Sequence, residues 1–261
     1  MSIRLLSPKF VERIWGTNQL GPLFPDHDKK IGEVWFDAGS SFPLLIKFLF
    51  TSDKLSVQVH PDDTFARREE NSRGKTEMWH ILAAKPGSTI ALGFEETLTS
   101  EQVRSSIAGE TLESKLKLIP VKPGDTYFVE AGTVHAIGGG ITLCEIQQNS
   151  DVTYRLYDYG RRRELHVDKG LAVANTGKYE CRREFPVVCD QFTAELIELE
   201  APKDCAVNCD GALIILEGSG VIEDTPVRAG QVALAVSDKE SIRIVPDARL
   251  KLIHARCAGE S

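Results

Sequence analysis

The sequence predicts an all-β protein, a barrel or sandwich of many short strands with a few short helices. Three observations lead there. Strand-like segments recur at short spacing from Leu44 onward, and turns rich in Gly, Pro and Asp separate them, among them KPGS (85–88), VKPGD (121–125) and EAGT (130–133). Helical periodicity is confined to a few short stretches, of seven or eight residues. The predicted strands cover 44–49, 55–60, 76–83, 89–94, 116–120, 126–130, 134–137 and 142–147. A first short helix is expected over 64–70, capped by Asp62 or Asp63. A second is expected over 100–107, where Thr99 and Gln102 have the spacing of a capping box. A third is expected over 168–174, after RRRELHV. Past Gly177 a second strand-rich block follows, carrying QFTAELIELEAP, GALIILEGSGVIE and SIRIVPDARLKLIHARC. The break near Asn175–Lys178 divides the chain into units 1–176 and 177–261.

The 261 residues suffice for one large β domain or two modest ones. A net charge of −7 without a long Lys/Arg run offers no basic stripe for nucleic acid. No apolar run reaches the ~18 residues that span a bilayer. The opening MSIRLLSPKFVERIWG has no apolar signal core, so the expected location is cytoplasmic, without membrane partners. The six cysteines form no C-x-x-C pair and read as reduced thiols. The oligomeric state is left open.

Candidate chemistry begins in LSVQVHPDD (55–63). Alternate residues of a strand share a face, so Gln58 and His60 project together while Val57 and Val59 face the other way. In GKTEMWHIL (74–82), Glu77, Trp79 and Ile81 share one face, and Met78, His80 and Leu82 the other. GDTYFVEAGTVHAI (124–137) has the skeleton G-x5-E-x-G-x2-H, which resembles the second cupin motif with Glu130 in the proline's place. That resemblance implies a jelly-roll barrel and singles out His135. The C-terminal block looks like a second cupin-like unit without the cupin histidines, with His254 isolated and not a ligand. Any single strand histidine is ordinarily a structural residue. Together, though, Gln58, His60, Glu77 and His135 offer two nitrogens and two oxygens, a set suited to one zinc or other first-row divalent ion per chain.

Longer stretches carry a more specific resemblance. IWG, GEVWF, PLLIKFL, LSVQVHPDD, GKTEMWHIL, GTVHAIGGGI, EIQQNSDVTYRLYDYGR and RELHVDKGL follow one another between Ile14 and Leu171 in the order of the type I mannose-6-phosphate isomerase family. The resemblance implies a divalent-metal aldose–ketose isomerase, usually with zinc, interconverting mannose 6-phosphate and fructose 6-phosphate through an enediol. It implies Gln58, His60, Glu77 and His135 as metal ligands, and Lys47, Lys75, Asp151 and Arg155 as active-site groups. Independently, an extended SDVTYRLY puts Asp151, Thr153, Arg155 and Tyr157 on one face. Arg155 and Lys47 would then hold a substrate phosphate. Lys75, with a pKa lowered beside a dication, joins Asp151 and Arg155 as candidates for proton transfer. GRRRE (160–164) and His166 read as a solvated face or the rim of a phosphate entrance.

The chain departs from the longer members in three places. No large helical insertion is visible, as in the short bacterial form. Gly74 stands where some longer members carry histidine, and His80 where tyrosine is common. A cupin dioxygenase is disfavoured by Gln58. Another sugar-phosphate isomerase, or a non-catalytic sugar-binding cupin, would share much of the pattern.

Overall fold

The computed structural model describes residues 3–180, 185–206, 211–235 and 241–257. Among the described residues there are three antiparallel sheets and three short α-helices, a mostly β architecture as expected. One six-stranded sheet runs, in spatial order, Lys9–Thr17, Ile31–Asp37, Leu44–Phe50, Ile141–Gln148, Glu77–Ala84 and Thr126–Val129. Facing it is a five-stranded sheet ordered Tyr154–Tyr157, Val57–Val59, His135–Ile137, Thr89–Phe94 and Leu116–Pro120. Between them Leu49, Trp79, Ile81 and Leu143 from the first meet Ile90, Leu92 and Ile137 from the second, closing one end of a barrel with apolar side chains.

The first two helices lie where capping chemistry puts them. The Asp62 carboxylate accepts from Phe65 N at 2.8 Å ahead of the helix Asp63–Glu70. Thr99 and Gln102 form a reciprocal capping box ahead of Ser100–Ala108. The third helix spans Val167–Val173. The sequence expectation missed the strands Lys9–Thr17 and Ile31–Asp37. Lys9–Thr17 has most of its residues exposed or half-exposed on both faces, so it lacks the apolar alternation that marks a strand.

The third sheet joins the chain's beginning to its end. Ile3–Leu5 pairs with Val232–Ala235, which is followed in spatial order by Gly211–Ile222, Ser241–Cys257, Phe192–Leu199 and Val187–Val188. A large core, including Phe36, Phe48, Met78 and Ile146 from the six-stranded sheet and Phe192, Ile214, Leu234 and Ile253 from this one, glues the two units together. The boundary expected at 176/177 is thus crossed by a shared core and by the first strand. Cys144 and Cys205 are buried thiols, while Cys181 and Cys209 lie outside the described residues, as does the SDKE of the C-terminal block. Among the described residues no helix is long and apolar enough to cross a membrane.

Candidate active site

Strand register builds the site. Gln58 pairs with His135 on one side and Arg155 on the other, so these three form a row across the five-stranded sheet. Across the barrel, Trp35, Lys47, Glu145 and Trp79 form a second row, with Glu77 opposite Gln147 beside it. Directly opposed residues share a face, so both rows point inward. They line a cavity of about 390 Å³, together with His60, Lys75, Asp151 and Thr153. That volume is in the range of small-molecule sites.

His60, Glu77 and His135 converge closely enough to hold a metal ion. His135 Nε2 lies 3.5 Å from Glu77 Oε1, and His60 Nε2 lies 3.6 Å from Glu77 Oε2. Each imidazole donates its Nδ1–H to a backbone carbonyl: His60 to Val152 O at 3.0 Å, His135 to Thr133 O at 2.8 Å. A carbonyl accepts only, so each Nδ1 carries the proton and each Nε2 presents a lone pair to the cluster, as in a metal-ligating histidine. Burial drives both rings neutral, His60 well below the usual histidine range and His135 to about 4. Burial also pushes the Glu77 carboxyl up to about 7, against the pull of Lys75. Only 1 % of Glu77 is exposed, and its Oε2 accepts no well-formed hydrogen bond, although Lys75 Nζ stands 3.0 Å away. Two imidazole lone pairs and a buried carboxylate aimed at one point form a donor set that suits a divalent cation. Gln58, on the same row as His135, brings an amide to the same cavity.

Lys75 enters the cluster from the foot of the Glu77 strand, with Nζ 2.9 Å from His60 Nε2. Burial works against its charge, but Glu77 and Glu145 outweigh it and hold the ammonium above the ordinary lysine pKa. Lys47 Nζ lies 3.2 Å from Glu145 Oε1, 2.5 Å from Gln147 Oε1 and 4.9 Å from the centre of the Trp35 ring. Burial opposes the Glu145 charge, yet Lys47, Lys75 and the Trp79 indole N–H, 3.0 Å away, keep it below the usual carboxylate value.

Asp151 and Arg155 reach the cavity mouth, but they do not pair with each other. Arg155 Nη1 donates to Glu164 O at 2.7 Å, and its Nε is buried without a partner among the described residues. Tyr157, expected on the same face, leaves it. The ladder shifts between Arg155 and Tyr157, which puts Tyr157 opposite Val57 and into the apolar layer outside the sheet. Burial, then the neighbouring Arg163, hold the Arg155 guanidinium below the ordinary arginine pKa. Arg163 lines the cavity and is fixed by Asp158 at 2.6 and 2.8 Å, so part of the GRRRE run is a rim.

His80 points to the opposite face, with Nδ1 2.9 Å from Thr126 Oγ1 and its ring against Phe185. His254 stands apart in the C-terminal sheet. Gly74 has no room for a side chain: a Cβ there would lie 2.5 Å from Asp62 C. Glu145, Gln147 and Glu33 escaped the sequence reading, whereas Arg163 belongs to the GRRRE run it offered as a rim. Period-two reading of Ile141–Gln148 would have found the first two, since they alternate with Cys144 and Ile146. Glu33, which accepts from Arg13 Nη2 and Trp35 Nε1 at 2.8 Å each, sits on a strand that the expectation passed over.

No protein-family model matches the chain. It is 42% identical over 165 residues to the mannose-6-phosphate isomerase of Streptococcus mutans, a match covering 61% of this chain and 51% of that protein. The matched region thus spans about half the length of that curated relative. The Bacillus subtilis protein named "Probable mannose-6-phosphate isomerase GmuF" is 36% identical over 211 residues, covering 64% of this chain and 67% of its own length. The crystal structure of the mannose 6-phosphate isomerase from Bacillus subtilis superimposes with a TM-score of 0.86 at 27% identity, over 98% of this chain and 100% of that one.

Proposed function

Because the chain belongs to the mannose-6-phosphate isomerase family, we propose that it interconverts mannose 6-phosphate and fructose 6-phosphate through an enediol, in the cavity of its first unit. The observation that carries this reading is the convergence of two imidazoles with fixed tautomers on one desolvated carboxylate, inside a cavity rimmed by arginines. We assign Gln58, His60, Glu77 and His135 as ligands of one divalent ion; their two nitrogens and two oxygens suit zinc. When bound, such an ion supplies a Lewis acid that stabilises negative charge on sugar oxygens.

The chain's own residues do the rest. Isomerisation moves a proton between C1 and C2, so a positioned acid and base are required. Lys75, whose Nζ reaches the cavity 2.9 Å from His60 Nε2, serves as the proton donor. Asp151, the carboxylate at the cavity mouth, is the acceptor in this assignment. Arg163 stands close enough to Arg155 to disfavour its charge, and a phosphate dianion between the two guanidiniums relieves that repulsion. Lys47 orders the inner wall through Glu145 and Gln147 and adds positive charge near the sugar. We take residues 1–176 as the catalytic unit and 177–261 as a cupin-like unit that backs it across the shared core. The cytoplasm, where thiols such as Cys144 and Cys205 stay reduced, is the assigned compartment.

The test follows the label from mannose 6-phosphate deuterated at C2. Release into water that stops with a chelator and returns with Zn²⁺ supports the proposal. Binding without release, under every divalent metal tried, would make the protein a sugar-binding cupin instead. Parallel assays with glucose 6-phosphate and unphosphorylated mannose define the substrate.

A further inference from the structure

We propose that His166 is a positioning residue whose Nδ1 lone pair, committed to the backbone of Arg155, holds that arginine at the cavity; the inference rests on the reading of Arg155 as a group that meets the substrate. His166 precedes the helix Val167–Val173, the position at which Ser, Thr, Asp or Asn ordinarily accepts a hydrogen bond from the helix's own first turn. His166 makes no such bond. Its ring turns to the neighbouring strand instead, where Arg155 N–H donates to Nδ1 at 3.2 Å. A backbone N–H can only donate, so Nδ1 must carry the lone pair and Nε2 the proton.

Two more bonds from the same three-residue stretch close on the same residue. His166 N–H donates to Arg155 O at 2.7 Å, and Arg155 Nη1 donates to Glu164 O at 2.7 Å. Main chain and guanidinium of Arg155 are thus both gripped by residues 164–166. The grip falls where the sheet cannot supply one. Arg155 lies on the outermost strand of the five-stranded sheet, and the ladder to Val57–Val59 shifts immediately after it. Simple closure of a sheet edge would need only backbone groups. Here an imidazole replaces a carbonyl as acceptor, at the one position on this strand whose side chain is a cavity-lining guanidinium. Its unpartnered Nε keeps a donor for whatever anion enters.

A double-mutant comparison tests this with the whole chain loaded with Zn²⁺ and mannose 6-phosphate as substrate. His166→Phe is expected to lower kcat/KM about tenfold in the native background and by less than about twofold in an Arg155→Met background, because the two residues act as one unit. His166→Asn, whose Oδ1 sits where Nδ1 does, is expected to recover most of the loss. If His166→Phe does not fold, His166→Gln, whose oxygen aligns with Nε2, takes its place. ¹⁵N NMR of the native protein should show Nδ1 as the unprotonated ring nitrogen of His166. Equal losses in both backgrounds, no recovery with Asn, or a protonated Nδ1 would each overturn the proposal while leaving the reading of Arg155 intact. Native kcat/KM in Arg155→Met would instead remove Arg155 from the substrate site, and the proposal with it.

Discussion

Inside the first unit, Lys47, Lys75, Glu77, Glu145 and Gln147 are buried against one another. On the inner face of the C-terminal sheet, the corresponding space is filled by Leu213, Ile215, Ile242, Ile244, Leu250 and Leu252. Both units are twisted antiparallel β, so strand physics does not explain the difference. Burying a charge costs several kcal/mol unless it is paired, and well-packed apolar residues often do as well or better for stability. The C-terminal unit takes the stable solution. The first unit carries a polar interior that folding did not require, and that contrast is the physical signature of a site.

The largest effect should separate the two interiors outright. Glu77→Gln removes the carboxylate between the imidazoles, and we expect turnover to fall at least about 10³-fold; steady-state kinetics with a fixed excess of Zn²⁺ reads it. Leu252→Ala, in the apolar interior, should cost about 2–5 kcal/mol of stability by urea titration, yet leave kcat unchanged below the unfolding transition. Next, Lys47→Met strands Glu145 as a buried unpaired charge and should destabilise by about 3 kcal/mol or more. Adding Glu145→Leu should restore most of that stability without restoring activity. Such a variant would have the interior of the C-terminal unit in the place of the first.

A smaller effect concerns competition for lone pairs. The Lys75 ammonium stands 2.9 Å from His60 Nε2 and 3.0 Å from Glu77 Oε2, atoms assigned here to the metal. Lys75→Met removes that like-charged neighbour. It should hold Zn²⁺ more tightly by isothermal calorimetry, by about tenfold, while losing turnover.

The last effect is pH-dependent and lies outside the site. Burial holds His80 and His254 neutral, each with a folded-state pKa of about 4 against an ordinary 6.5. Between these values the unfolded chain binds more protons than the folded one, so stability rises with pH across that window. Their contribution is complete above about pH 6.5 and fades as pH falls toward 4, each on the order of 2 kcal/mol. His254→Leu should flatten that slope in urea midpoints measured from pH 7 to 4.5, without altering turnover at pH 7.5. Among the described residues the His254 Nε2 has no hydrogen-bond partner, so its replacement by an apolar group forfeits little.

Much of this was legible in the sequence where one local rule decided the outcome. Strand alternation in LSVQVHPDD and GKTEMWHIL sorted Gln58, His60 and Glu77 from Val57, Met78 and His80, and capping residues located the first two helix starts. What escaped depended on pairing between distant segments. Tyr157 was misplaced because a ladder shift beside Arg155 depends on the partner strand, not on SDVTYRLY itself. Glu145 went unnoticed beside Lys75 because, seventy residues away in the chain, it enters those surroundings only through strand register. The shared core of the two units was invisible for the same reason: Phe48 and Ile253 meet only once three sheets are stacked.

The most direct test is anomalous diffraction from crystals grown with Zn²⁺, collected above and below the zinc absorption edge. The account predicts one strong peak within coordinating distance of His60 Nε2, His135 Nε2 and a Glu77 oxygen, about 2.0–2.2 Å from each, and its loss in Glu77→Gln crystals. An empty cluster in zinc-grown crystals, or a peak that survives Glu77→Gln undiminished, would contradict it.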